Sequence, residues 1–600
     1  MNNLMRIRAL TVVTLFAIGF TVVSGRLVWL QVWRHEDYRR EALQTQMRVV
    51  PLPAGRGRIL DCQRRIYAQS VTVTDLFLDG KMAEENPMRL DEVAALVGLS
   101  PSALRGLIDP AKRHVPLARD LDTDMVAQLK ALPKIRYLAY EDHPKRVYPS
   151  GREGSHVLGF TNLVGEQRAG WNGRLVAETG AAGVEKMLDG YLAGTMGERH
   201  IIRDRSGREI PAYRKSSTEP RDGCDVVLTI DQVIQYAVEE EADKLVEKYA
   251  PDTLSIIVTR PETGEILALT NRPTFDPNDR KSITIVKDVM DNTRNCAVAD
   301  IYEPGSTFKI VTTGAVLSEG IATLDTPIFC ENGVFLYAGA TIRDTHPTGT
   351  ITLRRALQVS SNIAFAKLGL ALAGQAPERL YQHVRLMGFG QRAQDPRMAL
   401  PGEQEGILRP PEKWSKLSPT HVPIGYEIGV TNLQMTMAMG AIANGGKLMR
   451  PLLVKSIVGA NGAVVREFAP LAVRQVMEPE IAAEIRAALE GVVSDEGTAE
   501  GARVRGFTAA GKTGTARKYS AKLRGYEDGA YYSAFIGFVP ADQPRFLISI
   551  LVNRPRETRG QIYGGKVAGP AFSAIADKVA LQLNMIAGDQ PRVMARGGMQ

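Results

Sequence analysis

The chain has 600 residues, more than a single hydrophobic core usually organises, so its length predicts two or more domains. Hydrophobic residues make up 44% and charged residues 23%, a composition typical of globular proteins. The net charge of +8 is spread along the sequence without a basic run. It therefore indicates a mildly basic surface near anionic lipid headgroups and argues against a nucleic-acid-binding protein.

The N-terminus carries one apolar segment of membrane length. Residues 9–25 are apolar apart from three threonines and one serine. As a helix they would span ~25 Å, slightly less than the ~30 Å hydrocarbon core of a bilayer. Residues 27–30 extend the segment if the Arg26 side chain reaches back to the interface, and Trp29 and Trp33 suit that interface.

A cleaved signal peptide is the alternative, with the small residues 23–25 as its cleavage site. Because the apolar pattern continues past that site, the sequence favours an uncleaved transmembrane anchor over residues 9–33. Arg6 and Arg8 then place residues 1–8 in the cytoplasm by the positive-inside rule, and everything after Trp33 lies outside.

An extracytoplasmic module is predicted over residues 34–220. It opens with a polar helical pattern at 35–46, typical of a juxtamembrane stalk, and continues with short strands and helices. Nothing in it forms a nucleophile–base set, so we interpret it as a pedestal that serves as a spacer and binds partners. Four widely spaced cysteines show no zinc or redox motif, and we expect them to be unpaired and buried: Cys62, Cys224, Cys296 and Cys330.

A second domain is predicted over residues 221–586. A strand followed by a helix marks its start at 223–231, and two pairs of strands flank long helical stretches. Helices inserted between the halves of one antiparallel sheet form an α/β sandwich. The tail, 587–600, is predicted to be disordered. The predicted strands are 254–258, 264–269, 536–539 and 546–552, and the helical stretches include 353–373 and 479–493.

Three short strings in this domain carry the chemistry. They are Ser306-Thr307-Phe308-Lys309, Ser360-Ser361-Asn362 and Lys512-Thr513-Gly514-Thr515. Each string alone is common in helices and turns, but together and in this order they supply a nucleophile, its bases and a cationic strand.

The first string fits an activated serine. At positions i and i+3 of a helix, Ser306 and Lys309 lie on the same face, so the amine can reach the hydroxyl. Residues 303–305, Glu-Pro-Gly, interrupt the chain just before the serine and place it at a helix N-terminus, which favours developing negative charge.

With their flanks, these strings resemble the class B penicillin-binding proteins, membrane-anchored peptidoglycan transpeptidases, and most closely their septal branch. The resemblance runs from about Arg26 to about Pro570. The flanking strings are Tyr302-Glu303-Pro304-Gly305, Gly425-Tyr426-Glu427-Ile428-Gly429-Val430-Thr431 and Ala443-Asn444-Gly445-Gly446, and Arg56-Gly57-Arg58-Ile59-Leu60-Asp61 resembles the family's entry strand. The implied fold is an α/β protein with an α+β pedestal and a serine β-lactamase-like transpeptidase sandwich.

The resemblance also implies roles for the site residues. Ser306 is the nucleophile and Lys309, buried with a lowered pKa, is the base for acylation. Ser360 is a proton relay, and Asn362 bonds Lys309 and the substrate amide from a loop before the next helix. Lys512 steers the substrate carboxylate, which Thr513 and Thr515 bind beside Gly514. The backbone N–H groups of Ser306 and Thr515 form the expected oxyanion hole.

The function implied is D,D-transpeptidation of peptidoglycan during septal synthesis, with D-Ala-D-Ala stem peptides as donors and β-lactams as inhibitors. The pedestal lacks a paired-carboxylate signature, so no glycosyltransferase is expected there. A separate FtsW-type glycan polymerase and other membrane proteins of the division machinery are the expected partners, at the septum of the bacterial inner membrane. The alternatives are an elongation transpeptidase of the same family and a catalytically idle penicillin-binding scaffold or sensor. A β-lactamase is disfavoured because no deacylating water activator is evident.

One other motif match points to different chemistry. Residues 506–513 match the Walker A nucleotide-binding string, which requires a hydrophobic strand before it and a helix after it. Residues 503–506 are a poor buried strand and residues 516–520 are predicted to form a loop, so we reject the nucleotide site. No cluster of His, Cys, Asp and Glu has metal-ligand spacing, so no cofactor is expected. The segment around His346 is expected to have a structural role.

Overall fold

The structure is a computed structural model that describes residues 3–52, 54–112, 114–132, 135–166, 175–202, 217–283, 285–286, 290–520, 523, 525–556 and 562–586. The predicted disordered tail lies outside the described residues. The helices are α1 (Asn3–Val28), α2 (His35–Gln46), α3 (Gly80–Glu85), α4 (Leu90–Leu96), α5 (Pro101–Gly106), α6 (Thr123–Ala131), α7 (Ser155–Leu158), α8 (Gly183–Met187), α9 (Asp189–Leu192), α10 (Gln232–Tyr249), α11 (Cys296–Ala299), α12 (Lys309–Ser318), α13 (Leu353–Val359), α14 (Asn362–Gln375), α15 (Pro377–Leu386), α16 (Ser418–His421), α17 (Asn432–Ala443), α18 (Pro479–Glu490), α19 (Gly564–Val567) and α20 (Gly569–Gln582).

The strands complete the inventory. They are β1 (Met47–Leu52), β2 (Ile59–Leu60), β3 (Ile66–Leu78), β4 (Val115–Leu121), β5 (Leu138–Val147), β6 (Thr161–Glu166), β7 (Leu175–Gly180), β8 (Gly197–Ile202), β9 (Ser217–Thr218), β10 (Asp225–Leu228), β11 (Thr253–Thr259), β12 (Ile266–Arg272), β13 (Ile285–Val286), β14 (Met290–Asp291), β15 (Pro327–Phe329), β16 (Val334–Tyr337), β17 (Ala340–Arg343), β18 (Thr350–Thr352), β19 (Lys447–Met449), β20 (Val454–Val458), β21 (Val464–Glu467), β22 (Ala472–Gln475), β23 (Ala510–Ser520), β24 (Gly525–Val539) and β25 (Phe546–Asn553).

The chain divides into two compact units. The first comprises Met1–Gly55, Val164–Ala177 and Gly194–Asp222, and the second comprises Arg56–Leu163, Glu178–Ala193 and Gly223–Gln600. In the first unit, α1 continues through a π-helical turn at Trp29–Trp33, and β1, β8 and β9 form a three-stranded antiparallel sheet. The predicted stalk at 35–46 is the helix α2.

Among the described residues, one helix is long and apolar enough to cross a membrane. It runs from Asn3 to Trp33 with its side chains exposed, as expected of a single-pass anchor. The Arg26 guanidinium lies 4.1 Å from the centre of the Trp29 ring, so the charge within the span packs on an interfacial aromatic side chain.

Two sheets organise the second unit. In the larger, the strands run β21-β20-β10-β2-β3-β4, with β5 also paired to β3. Because β2 pairs in parallel with β10, strands from before and after the predicted boundary at 220 belong to one sheet. The boundary itself stays a prediction.

A buried ion cluster fixes the entry segment of the pedestal. The Glu185 side chain is fully buried and accepts from Arg56 and Arg146, each at 2.7 Å. A charge taken out of water is tolerated only when it is paired and hydrogen-bonded, so the three residues hold one arrangement. This contact explains why a charged string opens the module.

The second sheet is the core of the transpeptidase-like region. Its order is β12-β11-β25-β24-β23, antiparallel throughout. Every residue of β25 is buried, which requires cover on both faces of the sheet. Helices α10 and α20 pack against each other and the sheet, and α17 packs on β11 and β25. The predicted sandwich with helices inserted between two pairs of strands is confirmed.

Residues 353–373 form two helices with a break at Ser360, as the predicted loop before the second helix requires, and Ser360 adopts a left-handed φ of 62° that ends α13. Two other local predictions were wrong. Helix α18 ends at Glu490 rather than at 493. Residues 516–520 are not a loop: they continue β23, paired with β24 and closed by an edge-on contact between Tyr519 and Tyr526. Two consecutive basic residues, Arg517 and Lys518, concealed that strand.

All four cysteines are free, as expected. Cys296 and Cys330 are buried, whereas Cys62 and Cys224 are only half-buried. Desolvation raises the pKa of the Cys62 thiol to about 12, so this sulfur stays protonated and unreactive near neutral pH.

The anchor generates a prediction. If Asn3–Trp33 spans the membrane uncleaved, the full-length protein keeps its N-terminal sequence and stays with membranes through carbonate extraction, because the buried apolar length outweighs a single arginine. Edman sequencing of the purified protein measures this. A mature N-terminus at Arg26 would contradict it.

Candidate active site

The first string forms a tight turn at the start of α12. Residues Gly305–Phe308 make a 3₁₀ turn that leads directly into the α-helix. Gly305 has a φ of 54°, and a Cβ there would lie 2.9 Å from the Cβ of Ala516, so only glycine fits without displacing the neighbouring strand. Ser306 is half-buried, and its hydroxyl has no hydrogen-bond partner in the part of the chain that the structure describes.

Lys309 is fully buried one turn after the serine. Its Nζ lies 2.6 Å from the Ser360 carbonyl oxygen, 2.8 Å from Asn362 Oδ1 and 3.1 Å from Ser360 Oγ. The ring centre of Phe365 is 5.5 Å from the same nitrogen. The amine is therefore held by the second string.

Ser360 lies between two amines. Its Oγ is 3.1 Å from Lys309 Nζ and 2.9 Å from Lys512 Nζ. Its left-handed backbone is uncommon for a residue with a side chain and costs on the order of 1 kcal/mol. That conformation turns both the carbonyl and the hydroxyl of Ser360 towards Lys309, which explains why the helix breaks here.

Asn362 is the first residue of α14 rather than part of a loop. Its Oδ1 accepts from Lys309, and its Nδ2 donates to the Arg343 carbonyl at 2.9 Å. Asp344 fixes the helix start: one carboxylate oxygen accepts from the backbone N–H groups of Asn362 and Ile363, and the other from the Ser361 hydroxyl at 2.6 Å. A carboxylate at a helix N-terminus is stabilising, so the expected structural role of this segment has a physical basis.

The third string lies on the edge strand β23. Lys512 is fully buried, and its Nζ contacts Ser360 Oγ and, at 3.3 Å, the Thr513 carbonyl. The Thr513 hydroxyl is 2.8 Å from the Thr498 hydroxyl, and Thr515 Oγ1 accepts from the Gly564 N–H at 3.1 Å.

Gly514 lets this strand approach the serine turn. A Cβ at Gly514 would lie 2.8 Å from Cγ2 of Thr307, closer than carbon atoms pack. The turn at Ser306 and the strand at Thr515 are thus in direct contact. All eight predicted site residues lie in one unit, and the structure brings the three strings together.

A loop behind the serine holds the turn in place. Tyr302 and Val430 exchange two backbone hydrogen bonds, and Gly305 N–H donates to the Gly425 carbonyl at 3.0 Å. Glu303 accepts from the backbone N–H of Glu427 at 2.9 Å, and Glu427 has a left-handed φ of 59°. These contacts explain why the flanking strings accompany the catalytic ones.

The electrostatics of the site centre on the two lysines. Burial, followed by the neighbouring Lys512 cation, holds the pKa of Lys309 well below the usual lysine value, although Asp344 opposes this. Burial alone lowers the pKa of Lys512 to about 7. A lysine with a lowered pKa loses its proton more readily and can then accept one from a hydroxyl, whereas a lysine with a pKa of about 7 is still partly charged near neutral pH.

Two features of the site were not found from the sequence. Thr498 contacts Thr513 but lies in an irregular segment between α18 and β23 that carries no motif. The contact of Lys309 with the Ser360 backbone depends on a left-handed residue that the sequence does not mark, since glycine is the usual residue there.

One group of metal-ligating residues exists elsewhere among the described residues. Ligand atoms of Asp75, Asp120 and His143 lie within 4.8 Å of one another. Lys145 Nζ is 3.0 Å from Asp120 and supplies the positive charge that a metal ion would bring. We assign no metal to this cluster.

Comparison with known proteins agrees with this geometry. Residues 254–577 match the model of the penicillin binding protein transpeptidase domain, and residues 51–228 match that of the penicillin-binding protein dimerisation domain. The probable peptidoglycan D,D-transpeptidase PbpC of Pseudomonas aeruginosa is 31% identical, covering 95% of this chain and 94% of the relative. Stage V sporulation protein D of Bacillus subtilis is 32% identical, covering 96% and 85%.

A solved structure extends the comparison to the fold. Penicillin binding protein 3 from Mycobacterium tuberculosis, complexed with aztreonam, is 27% identical and superposes with a TM-score of 0.67 over 90% of this chain and 98% of that one. The chain belongs to the class B penicillin-binding proteins, the membrane-anchored peptidoglycan D,D-transpeptidases, which bind β-lactams.

The pKa of Lys512 generates a prediction about pH. If its charge assists acylation, the second-order rate of acylation by benzylpenicillin falls above about pH 7, as the ammonium loses its proton. Lys512→Ala should be slower at pH 6 and should lack this falling limb, because the titrating group is gone. Stopped-flow acylation from pH 5 to 9 measures both. An identical falling limb in the variant would contradict the assignment.

Proposed function

We propose that this chain is the septal peptidoglycan D,D-transpeptidase of its cell, and that it works through an acyl-enzyme on Ser306. The observation that carries the catalytic part is the Ser360 hydroxyl, held 3.1 Å and 2.9 Å from two fully buried lysine amines beside the serine turn. This arrangement supplies a base, a relay and a cation within one hydrogen-bonded group.

In the proposed acylation, Ser306 Oγ attacks the carbonyl carbon of the penultimate D-Ala of a donor stem peptide. Neutral Lys309 takes the hydroxyl proton as the bond forms. Collapse of the tetrahedral intermediate breaks the C–N bond, and the departing D-Ala amine receives a proton by way of Ser360. Asn362 holds Lys309 in place throughout, as its 2.8 Å contact supports.

Deacylation runs in the reverse order with a different amine. The amine of a second stem peptide attacks the ester carbonyl, Lys309 and Ser360 receive its proton, and the Ser306 hydroxyl is restored. The result is one new peptide bond for each D-Ala released. The backbone N–H groups of Ser306 and Thr515, in contacting segments, are the proposed oxyanion donors.

Lys512 acts on the donor carboxylate through its charge. Its side chain is fully buried next to Ser360, so its charge is little screened by water. The hydroxyls of Thr513 and Thr515, on the same strand, are the proposed carboxylate ligands. The first is shared with Thr498, which we add to this group on the basis of their 2.8 Å contact.

The septal role rests on the string Tyr302–Gly305, which resembles the septal branch of the family. An FtsW-type glycan polymerase is the proposed partner, because residues 34–220 carry no paired-carboxylate signature of a glycosyltransferase. Anchor and pedestal are the proposed contacts with it and with other division proteins. The similarity to a sporulation protein gives a second candidate, a transpeptidase dedicated to another stage of wall synthesis.

A localisation experiment separates these functions. A fluorescent fusion of the full chain, expressed from its own promoter, should form a band at midcell, and depletion should give filaments with blocked septa. A signal along the side wall with loss of rod shape would indicate elongation instead. A signal confined to sporulating cells would indicate the second candidate.

The nucleophile has its own test. Ser306→Ala should abolish covalent labelling by fluorescent penicillin, since loss of a serine nucleophile typically costs ~10⁶ in rate. The free energy of unfolding should change by less than ~1 kcal/mol, because this hydroxyl has no partner among the described residues.

Ser318→Ala is the matched control. Ser318 ends the same helix and is exposed, so its replacement should preserve both labelling and melting temperature. Labelling that persists in Ser306→Ala, or unfolding of that variant, would show that Ser306 is not the nucleophile or is mainly structural.

A further inference from the structure

A cationic groove lies on the side of the transpeptidase region that backs onto α12. A cavity of about 190 Å³ continues, through the shared residues Gln391 and Arg474, into an open depression of about 410 Å³. We call this the arginine groove. The residues that define it are Arg385, Gln391, Arg392, Gln394, Arg450 and Arg474.

The groove contains more positive charge than its own carboxylates balance. Arg450 pairs with Asp395 at 3.3 Å, and Arg392 pairs with Glu405 at 3.7 Å.

The other two arginines, Arg385 and Arg474, have no carboxylate partner among the described residues. Arg474 Nε donates only to the Leu386 carbonyl, at 2.9 Å. Burial and then the repulsion of Arg385 lower the pKa of the Arg474 guanidinium. An anion placed between the two would relieve that repulsion.

A buried donor in the cavity wall points to the same kind of ligand. Gln394 is 5% exposed, and its Oε1 accepts from the Leu400 N–H at 3.0 Å. Its Nε2 is buried and has no hydrogen-bond partner in the described part of the chain. A buried amide N–H without an acceptor is destabilising, so an acceptor atom would stabilise it if a small movement of the cavity wall brought a ligand within reach.

We propose that the arginine groove is a second binding site, separate from the catalytic serine, for a small ligand that presents an oxyanion. Guanidinium groups and an amide N–H are the donors that planar carboxylate and tetrahedral phosphate oxygens accept. The carboxylate of a short peptide and inorganic phosphate are the two sources of this chemistry, and both are small enough for the enclosed part.

The groove is connected to the catalytic helix by packing. Phe389, in the segment that borders the groove, has its ring centre 5.3 Å from that of Phe308, between Ser306 and Lys309. The Gln391 carbonyl accepts from Gln434 Nε2 at 2.8 Å. Gln434 belongs to the capping box at the start of α17. A ligand bound in the groove could therefore affect the serine turn through the contact between Phe389 and Phe308.

The experiment uses the detergent-solubilised full chain, both free and after acylation with benzylpenicillin, which fills the catalytic site. Isothermal titration calorimetry is run with a tripeptide ending in D-Ala-D-Ala and, separately, with inorganic phosphate. We expect saturable binding of at least one probe to the acylated protein. Binding should weaken at least about tenfold in Arg474→Ala and in Gln394→Leu.

Arg505→Ala is the matched control, since it removes one positive charge from a side chain that is 95% exposed and far along the sequence from the groove. If Gln394→Leu proves unstable, Arg385→Ala replaces it as the second test variant, because Arg385 is exposed and its substitution should not disturb folding.

Binding of the peptide alone identifies a carboxylate ligand, and binding of phosphate alone identifies a phosphate ligand. If neither probe saturates, or if Arg505→Ala weakens binding as much as Arg474→Ala does, the groove is not a site. If benzylpenicillin fails to acylate the protein, the proposed role of Ser306 is contradicted. The groove proposal is then judged from the titrations of the free protein.

Discussion

Two fully buried lysines that share one serine hydroxyl are the constraint around which this active site is built. Two ammonium ions so close, away from water, would suffer both desolvation and mutual repulsion. The protein therefore keeps the pKa values of Lys309 and Lys512 far below the usual lysine value. In the described part of the chain, Asp344 is the carboxylate that favours the charged form of Lys309, and its oxygens are already engaged at the start of α14. Low proton affinity is thus a consequence of the fold.

Such a site requires rigid surroundings, since a small shift would admit water and restore ordinary lysine behaviour. The three strings come from a 3₁₀ turn, a break between two helices and an edge strand, which lie far apart in sequence. Glycines allow these segments to pack closely: Gly305 lies against Ala516, and Gly514 lies against Thr307. At each place the missing Cβ sets the distance between segments, which a flexible contact between long side chains could not do.

Much of this architecture could be predicted from the sequence because residue spacing and apolar runs are visible within short segments. Spacing placed Ser306 and Lys309 on one face, and apolar runs predicted the central strands β11, β12 and β25. The failures have a common cause. The contact of Lys309 with the Ser360 carbonyl depends on a backbone conformation that glycine usually takes, and the extension of β23 depends on pairing with β24 rather than on hydrophobic alternation. Tertiary contacts decided both, and a single sequence does not show them. Thr498 was missed for the same reason.

The hydrogen bonds of Lys309 show which of its contacts depends on its protonation state. A neutral amine has two N–H groups and one lone pair. Its two shorter contacts, 2.6 Å to the Ser360 carbonyl and 2.8 Å to Asn362, are with acceptors that have no hydrogen to give, so they take both N–H groups. In the ammonium form the third N–H group donates to Ser360 Oγ at 3.1 Å, and this hydroxyl also accepts from Lys512. Loss of the proton from Lys309 would leave its lone pair at this longest contact. Lys512, Ser360 and Lys309 thus form one continuous hydrogen-bonded chain.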